Sequence, residues 1–210
     1  NQRAERAHMD VPRLQDGNVA FQLFSSVSKT PKGQNYDCNS ADTDNITLLT
    51  IAQLQPVKTW SSLVERSLYH AAKLDSAVAA STGNLVAISS AGHVDGLVAL
   101  RNGKTKPVGA MLTIEGLQNL EGKASNLDRL YNAGFRMAGL THFFDNELGG
   151  SMHGLKKGGL TPFGRDIVGR MEAKGMIVDI AHLSHTGVAE ILAMATRPVV
   201  SSHGGVQATC

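Results

Sequence analysis

GGLTPFGRDIVGRMEAKGMIVDIAHLS, residues 158–184, holds one complete turn of the pattern on which the whole chain is built. Thr161 is a side chain suited to accept from the free N–H groups at a helix start. Pro162 fits the first helical position, where its missing donor is not needed. A helix over 161–174 follows, and Gly175 closes it as glycines just past a helix do. The apolar run 176–181 is then a strand, too continuously apolar to have a wet face, as expected in a buried parallel sheet. That strand runs directly into His182.

The same alternation extends in both directions. Downstream lie a helix over 184–195 and a strand over 198–202. Upstream lie a strand over 108–114, a helix over 125–133 and a strand over 136–141. Nearer the N-terminus, 19–27 (VAFQLFSSV) reads as a strand, and 29–45 as a surface loop rich in Pro, Gly, Asn and Asp. Loops of that length are often functional. Leu63, Leu68, Ala71, Leu74 and Val78 recur at helical spacing and mark a long helix over 60–80. A short strand over 85–89 and a short helix over 93–100 follow. Residues 1–18 are polar and irregular, with Pro12 and Gly17 as breakers. Strand–helix alternation at βαβ spacing implies α/β architecture, with the strands near 19–27, 107–114, 136–141, 176–181 and 198–202 parallel and neighbouring in one barrel arc.

The 210 residues, 42% of them hydrophobic, suffice for a sizeable core, and the net charge of +2 comes from scattered basic residues. No basic stripe marks a nucleic-acid surface, and no apolar run reaches the length of a membrane span. Cys38 and Cys210 are too few for a disulfide framework or a thiolate zinc site, and a single bridge between them stays open. The chain begins without an initiator Met or signal peptide, and both ends read as cuts in a longer sequence.

Chemistry gathers at one structural address. Glu115, His142, His182 and His203 each follow a strand, and in a parallel barrel such C-terminal ends converge on one mouth, where active sites form. One histidine there is unremarkable, because buried or loop histidines are commonly satisfied by a backbone carbonyl. Four polar residues in register are another matter. Three imidazoles and a carboxylate are the ligand types zinc prefers. A carboxylate can bridge two ions, and a water held between them is acidified into a nucleophile at neutral pH.

The segments TIEG (113–116), GLTH (139–142), GGLTPFG (158–164), VDIAHLS (178–184) and PVVSSHG (198–204) occur in the order and separation found in the membrane (renal) dipeptidases, which this chain resembles. HMDVPRL (8–14) and NVAFQLFSSV (18–27) resemble that family's His-Thr-Asp-x-Pro-x-Leu segment and its second barrel strand. The likeness is weakest between about 30 and 105. It implies a (β/α)8 TIM-like barrel, of which this chain covers roughly strands 2 to 6. The whole of 1–210 is then one partial barrel domain, with the first and the last two strands missing. It implies zinc-dependent dipeptide hydrolysis by a hydroxide between two zinc ions. Glu115 would bridge the ions, and His182 and His203 would complete one of them. His142 would contact substrate and stabilise the tetrahedral intermediate rather than hold metal. The partners implied are a small dipeptide and the remaining segments of the same barrel; a homodimer is compatible.

Departures from the family pattern are equally specific. His8-Met9-Asp10 spells the His-x-Asp pair of the first barrel strand, yet only eight residues separate Asp10 from the strand at 19. A parallel crossover needs roughly a dozen, and Pro12 interrupts any strand there. His8 and Asp10 therefore read as structural or loop residues. The family's last-strand aspartate and the Arg-Asn segment that binds the substrate carboxylate are also missing from this stretch. Phe143 and Phe144 stand where the animal branch has a disulfide cysteine, which places the chain closer to a bacterial branch. Another small amide, a β-lactam or a lactone remains a substrate alternative, and a non-catalytic barrel that has lost one metal site is a reading of a different class. Asp179 reads as a buried hydrogen-bonding residue, or as one supporting a ligand. His153 and His185 read as surface positions, and Asp145, Asn146 and Glu147 as pocket-lining or solvated. His70 and His93 show no feature beyond their helices.

Overall fold

In the computed structural model, which describes residues 3–6 and 8–205, strands and helices alternate along the chain. The order is α1 (Val11–Asp16), β1 (Phe21–Val27), α2 (Ile46–Ala52), α3 (Lys58–Ser61), α4 (Leu63–Ala80), β2 (Leu85–Ala87), α5 (Ala91–Arg101), β3 (Val108–Glu115), α6 (Ser125–Asn132), β4 (Phe135–Gly139), α7 (Pro162–Ala173), β5 (Ile177–Asp179) and α8 (His185–Met194). Cys210 lies outside the described residues, and Cys38 is a free, exposed thiol. Among the described residues no helix is long and apolar enough to cross a membrane.

The sheet is built around β3, whose residues are buried up to Ile114. β1 pairs with it in parallel along nearly its whole length, from Phe21 opposite Gly109 to Val27 opposite Glu115. The other edge of β3 is shared. β2 occupies its start, with Leu85 opposite Val108, and β4 its end, with Glu115 opposite Gly139. At the changeover the pairing slips between Leu112 and Thr113, leaving Arg136 as the extra residue of a bulge. Arg136 fills the seam: its guanidinium donates to the carbonyls of Ser89, just past β2, and of Tyr131, over whose ring it stacks. β5 continues the sheet beside β4, again in parallel.

The expected strand over 198–202 is reduced to one parallel bridge between Asp179 and Val200. Two backbone bonds, Ile180 N–H to Val200 and Val200 N–H to Val178, carry it. β5 is short for a local reason: Asp179 Oδ1 accepts the N–H of Ala181 at 3.0 Å and turns the chain out of the sheet. The helix read over 60–80 is divided at Ser62, whose extended backbone and hydroxyl cap α4. The irregular N-terminus contains α1, capped by Asp10 through the Arg13 N–H and paired with the Arg13 side chain. Pro12 sits in the first turn of α1, where it starts a helix instead of breaking one. Asp10 is half-buried at this cap, and His8 is exposed.

Arg66, only 1% exposed, joins the excursion between β1 and α4 into one body. Its guanidinium donates to the carbonyls of Thr59, Ser28 and Trp60, to Asp44 Oδ2 and to the Thr47 hydroxyl. Those contacts use donor nitrogens all around the fork, so the buried charge is paired and hydrogen-bonded, as burial requires. Burial pulls Asp44 upward, but Arg66, Thr47 and the Ile46 N–H outweigh it and hold the carboxyl below its ordinary range. Arg66→Met should lower the unfolding free energy by about 3–5 kcal/mol, the usual result of stripping one partner from a buried pair. Because the folded carboxyl titrates below the unfolded value of about 3.9, Asp44 contributes stability above that pH and loses it as pH falls through the folded value. Urea unfolding at about pH 7 and about pH 2 should therefore show wild type and Asp44→Asn converging at the lower pH.

Candidate metal centre

Parallel pairing aligns Val27, Glu115, Gly139, Asp179 and Val200 in a single row across the sheet. Counting three residues past that row on successive strands gives His142 from Gly139, His182 from Asp179 and His203 from Val200. Glu115 stands in the row itself. The sheet therefore delivers three imidazoles at one common offset beside one carboxylate.

Their ring and carboxylate atoms do converge. His142 Nε2 lies 3.2 Å from Glu115 Oε2, and His182 Nε2 lies 4.0 Å from the same oxygen. Ligand-type atoms of Glu115, His142 and His182 fall within 4.8 Å of one another. His203 joins from the exposed side, its Nε2 2.8 Å from His182 Nε2. The residues expected to hold metal and the residue expected to touch substrate thus share one cluster, with His142 deeper and closer to Glu115 than the role of a bystander would need.

The hydrogen bond from His142, opposed by burial, brings the Glu115 carboxyl down to about 2; the Ser25 hydroxyl and the charges of His142 and His203 add to the lowering. Burial, then the neighbouring histidines, push His182 down to about 4. His182 also has a left-handed backbone at φ 62, rare for a residue with a Cβ. Its carbonyl is braced by the Met152 N–H at 2.8 Å and the Thr141 hydroxyl at 3.2 Å. Such conformations persist where surrounding contacts over-determine them, commonly at functional sites.

His153, read from the sequence as a surface residue, is buried at 5% exposure. The Gly-rich loop that carries it folds inward. Asp145 accepts the N–H groups of Ser151, Lys156 and Lys157, and a Cβ on Gly154 would meet Asp145 Oδ1 at 2.1 Å. Asn39 pairs with the His153 carbonyl through both its backbone and its side chain. Asp145 and Asn146 border a cavity of about 510 Å3 with Asn39–Asp42, but their polar groups are largely committed to the loop itself. His185 is exposed on α8, as expected, and His70 bonds Ser26 at 2.8 Å. Asp179 is buried and accepts from Ala181, Ser202 N–H and Ser202 Oγ, so it is the hydrogen-bonding residue expected.

Comparison with known proteins places this geometry. The model of the membrane dipeptidases (peptidase family M19) matches residues 1–210. The chain belongs to the membrane dipeptidase family. It is 30% identical over 200 residues to an uncharacterized dipeptidase of Schizosaccharomyces pombe, covering 94% of this chain and 44% of that protein. It is 36% identical over 105 residues to a dipeptidase of Aspergillus oryzae, covering 49% of this chain and 25% of that one. The probable dipeptidase PvdM of Pseudomonas aeruginosa superposes with a TM-score of 0.75 at 16% identity, over 99% of this chain and 48% of that one. A metallo peptidase of Rhodobacter sphaeroides, liganded with a phosphinate mimic of the dipeptide L-Ala-D-Ala, gives 0.72 at 18% identity, over 95% and 57%. The parallel sheet is accordingly part of a TIM-like barrel, and the chain spans less than half the length of the S. pombe relative.

A metallopeptidase family implies a metal, and the residues present suit one. Ligation needs an ionised carboxylate and neutral imidazoles; Glu115 and His182 are in those states at neutral pH. His142 Nδ1 is buried without a hydrogen-bond partner among the described residues. An ion that binds only the folded protein stabilises it by mass action. The melting temperature of the full-length protein should therefore rise with added divalent metal and fall on chelation, and His182→Ala should abolish the response. A response that survives His182→Ala would locate the ion elsewhere.

Proposed function

We propose that the protein carrying this chain is a zinc-dependent dipeptidase, with Glu115, His182 and His203 as zinc ligands and His142 as the residue that meets substrate. The observation that carries this reading is the convergence of these side chains at one offset past a single register row. The phosphinate dipeptide mimic bound by the Rhodobacter sphaeroides relative supports a dipeptide as substrate. Residues 1–210 form a single partial barrel domain in this reading, with the first strand and the last two contributed by sequence beyond it. The match covers 44% of the S. pombe relative, so more than half of that protein's length lies outside it.

Zinc, when bound, supplies a Lewis acid and an acidified water. The chain's own residues do the rest. Glu115 remains ionised and has two oxygens, enough to face two ions at once. His182 and His203 present neighbouring nitrogens that would hold one ion together. His142 is held by Phe143 edge-on at 4.5 Å and directs Nε2 toward the carboxylate edge of the cluster. From there it donates to the charge that develops on the substrate carbonyl oxygen, the kind of stabilisation that is commonly the largest single catalytic contribution.

One observation favours a second role for His142. It forms the compact trio with Glu115 and His182, as a metal ligand would. The two roles separate experimentally. If His142 meets substrate, His142→Ala should keep its zinc and lose about 10²–10³ in kcat, the loss typical of one deleted oxyanion donor. His182→Ala and His203→Ala should lose zinc. Elemental analysis and dipeptide turnover on the same full-length preparations decide the matter: parallel loss of zinc and activity in His142→Ala makes it a ligand, and full retention of both makes it structural.

A further inference from the structure

The protons around His182 and His203 can be followed from two fixed acceptors. A backbone carbonyl only accepts, so the 2.6 Å contact between Tyr36 O and His153 Nδ1 puts the His153 proton on Nδ1. Neutral His153 then has a lone pair on Nε2. At 3.1 Å it accepts from His182 Nδ1–H, which leaves His182 Nε2 without a proton. On the opposite side, the Asp179 carboxylate takes the Ser202 hydroxyl proton at 2.5 Å. With that proton committed, Ser202 Oγ accepts at 2.8 Å from His203 Nδ1–H. His203 Nε2 is thereby a lone pair as well. The two Nε2 atoms face each other at 2.8 Å, an arrangement that only a shared positive charge makes favourable.

His153 is the link on which the His182 side depends, and it has little freedom. Its ring stacks on Phe143 at 4.8 Å and 23°, and Tyr36 abuts it edge-on at 5.1 Å. Its N–H donates to Ser151 Oγ, and its carbonyl accepts from the two Asn39 donors. We propose that His153 is a positioning residue that fixes the Nδ1–H tautomer and the ring plane of His182, and so aims His182 Nε2 at the metal. The proposal rests on the metallo-dipeptidase reading of the site. Ligating imidazoles generally donate their other N–H to such a partner, and losing it weakens metal binding about 10–100-fold.

Three variants of the full-length protein test this. His153→Asn keeps a donor for Tyr36 but offers nothing to His182; His153→Leu removes both contacts; His153→Gln places an acceptor oxygen near the lost Nε2. Zinc affinity, measured against a chromophoric chelator, should fall about 10–100-fold in His153→Asn and His153→Leu and recover in His153→Gln. Nitrogen-15 imidazole shifts of the zinc-free wild type should show His182 protonated on Nδ1, and His153→Asn should lose that preference. Unchanged affinity and tautomer in His153→Asn would overturn the proposal. So would a wild-type His182 protonated on Nε2, a result that needs no variant to fold. If His153→Gln loses as much affinity as His153→Leu with the tautomer unchanged, the histidine merely packs the loop, and the proposal fails. Zinc affinity equal in wild type and His182→Ala would instead refute the metal reading itself, leaving the tautomer measurement to judge His153 alone.

Discussion

Parallel hydrogen bonding between strands fixes which residues stand opposite one another, and the site depends on one such row. Val27, Glu115, Gly139, Asp179 and Val200 are aligned by the ladder. In a sheet buried on both faces, a slip of one residue would send every side chain to the wrong side, so the apolar packing of β3 and β4 enforces the alignment. The histidines inherit it. Because each lies three residues beyond its row member, correct strand pairing brings all of them to the same end of the sheet. Asp179 adds the last adjustment: by capturing the Ala181 N–H it ends β5 early, and the chain then turns through the left-handed backbone of His182.

What the strands align, the loops hold in place. The 510 Å3 cavity lies between two loops that meet at its wall, where the lining residue Asn39 pairs in parallel with Gly154. One of those loops is the long excursion after β1, whose far end is anchored by the fully bonded Arg66. The other is tied down by Asp145 through backbone donors on both sides of His153. A histidine on a polar, glycine-rich loop is thereby as well fixed as one on a strand. Sites built on rigid elements hold their geometry best, and here a loop has been made into one.

Much of this was legible in the residues. Alternation of apolar runs with capped helices locates β3, β4, α7 and α8 within a residue or two, because buried parallel strands and helix caps leave strong local signals. Glu115, His142, His182 and His203 were found because each ends an apolar run. His153 was missed since nothing periodic precedes it: its burial depends on Tyr36 and Asn39, more than a hundred residues away. The signal that existed was Asp145 followed by glycines at 149, 150 and 154, a carboxylate with backbone donors folding back upon it. α1 is hidden in the sequence because Pro12 reads as a breaker, although Asp10 before it is a good cap. The shared edge of β3 was not legible either, since it hinges on one bulge at Arg136.

That shared edge divides one strand between two neighbours. β2 pairs with the first residues of β3, at the end away from the metal cluster, while β4 pairs with the end that carries Glu115. The two neighbours meet at Arg136, whose guanidinium donates to the Ser89 carbonyl just past β2. A single arginine is thus the joint between the part of the sheet that carries the chemistry and the part that props it up.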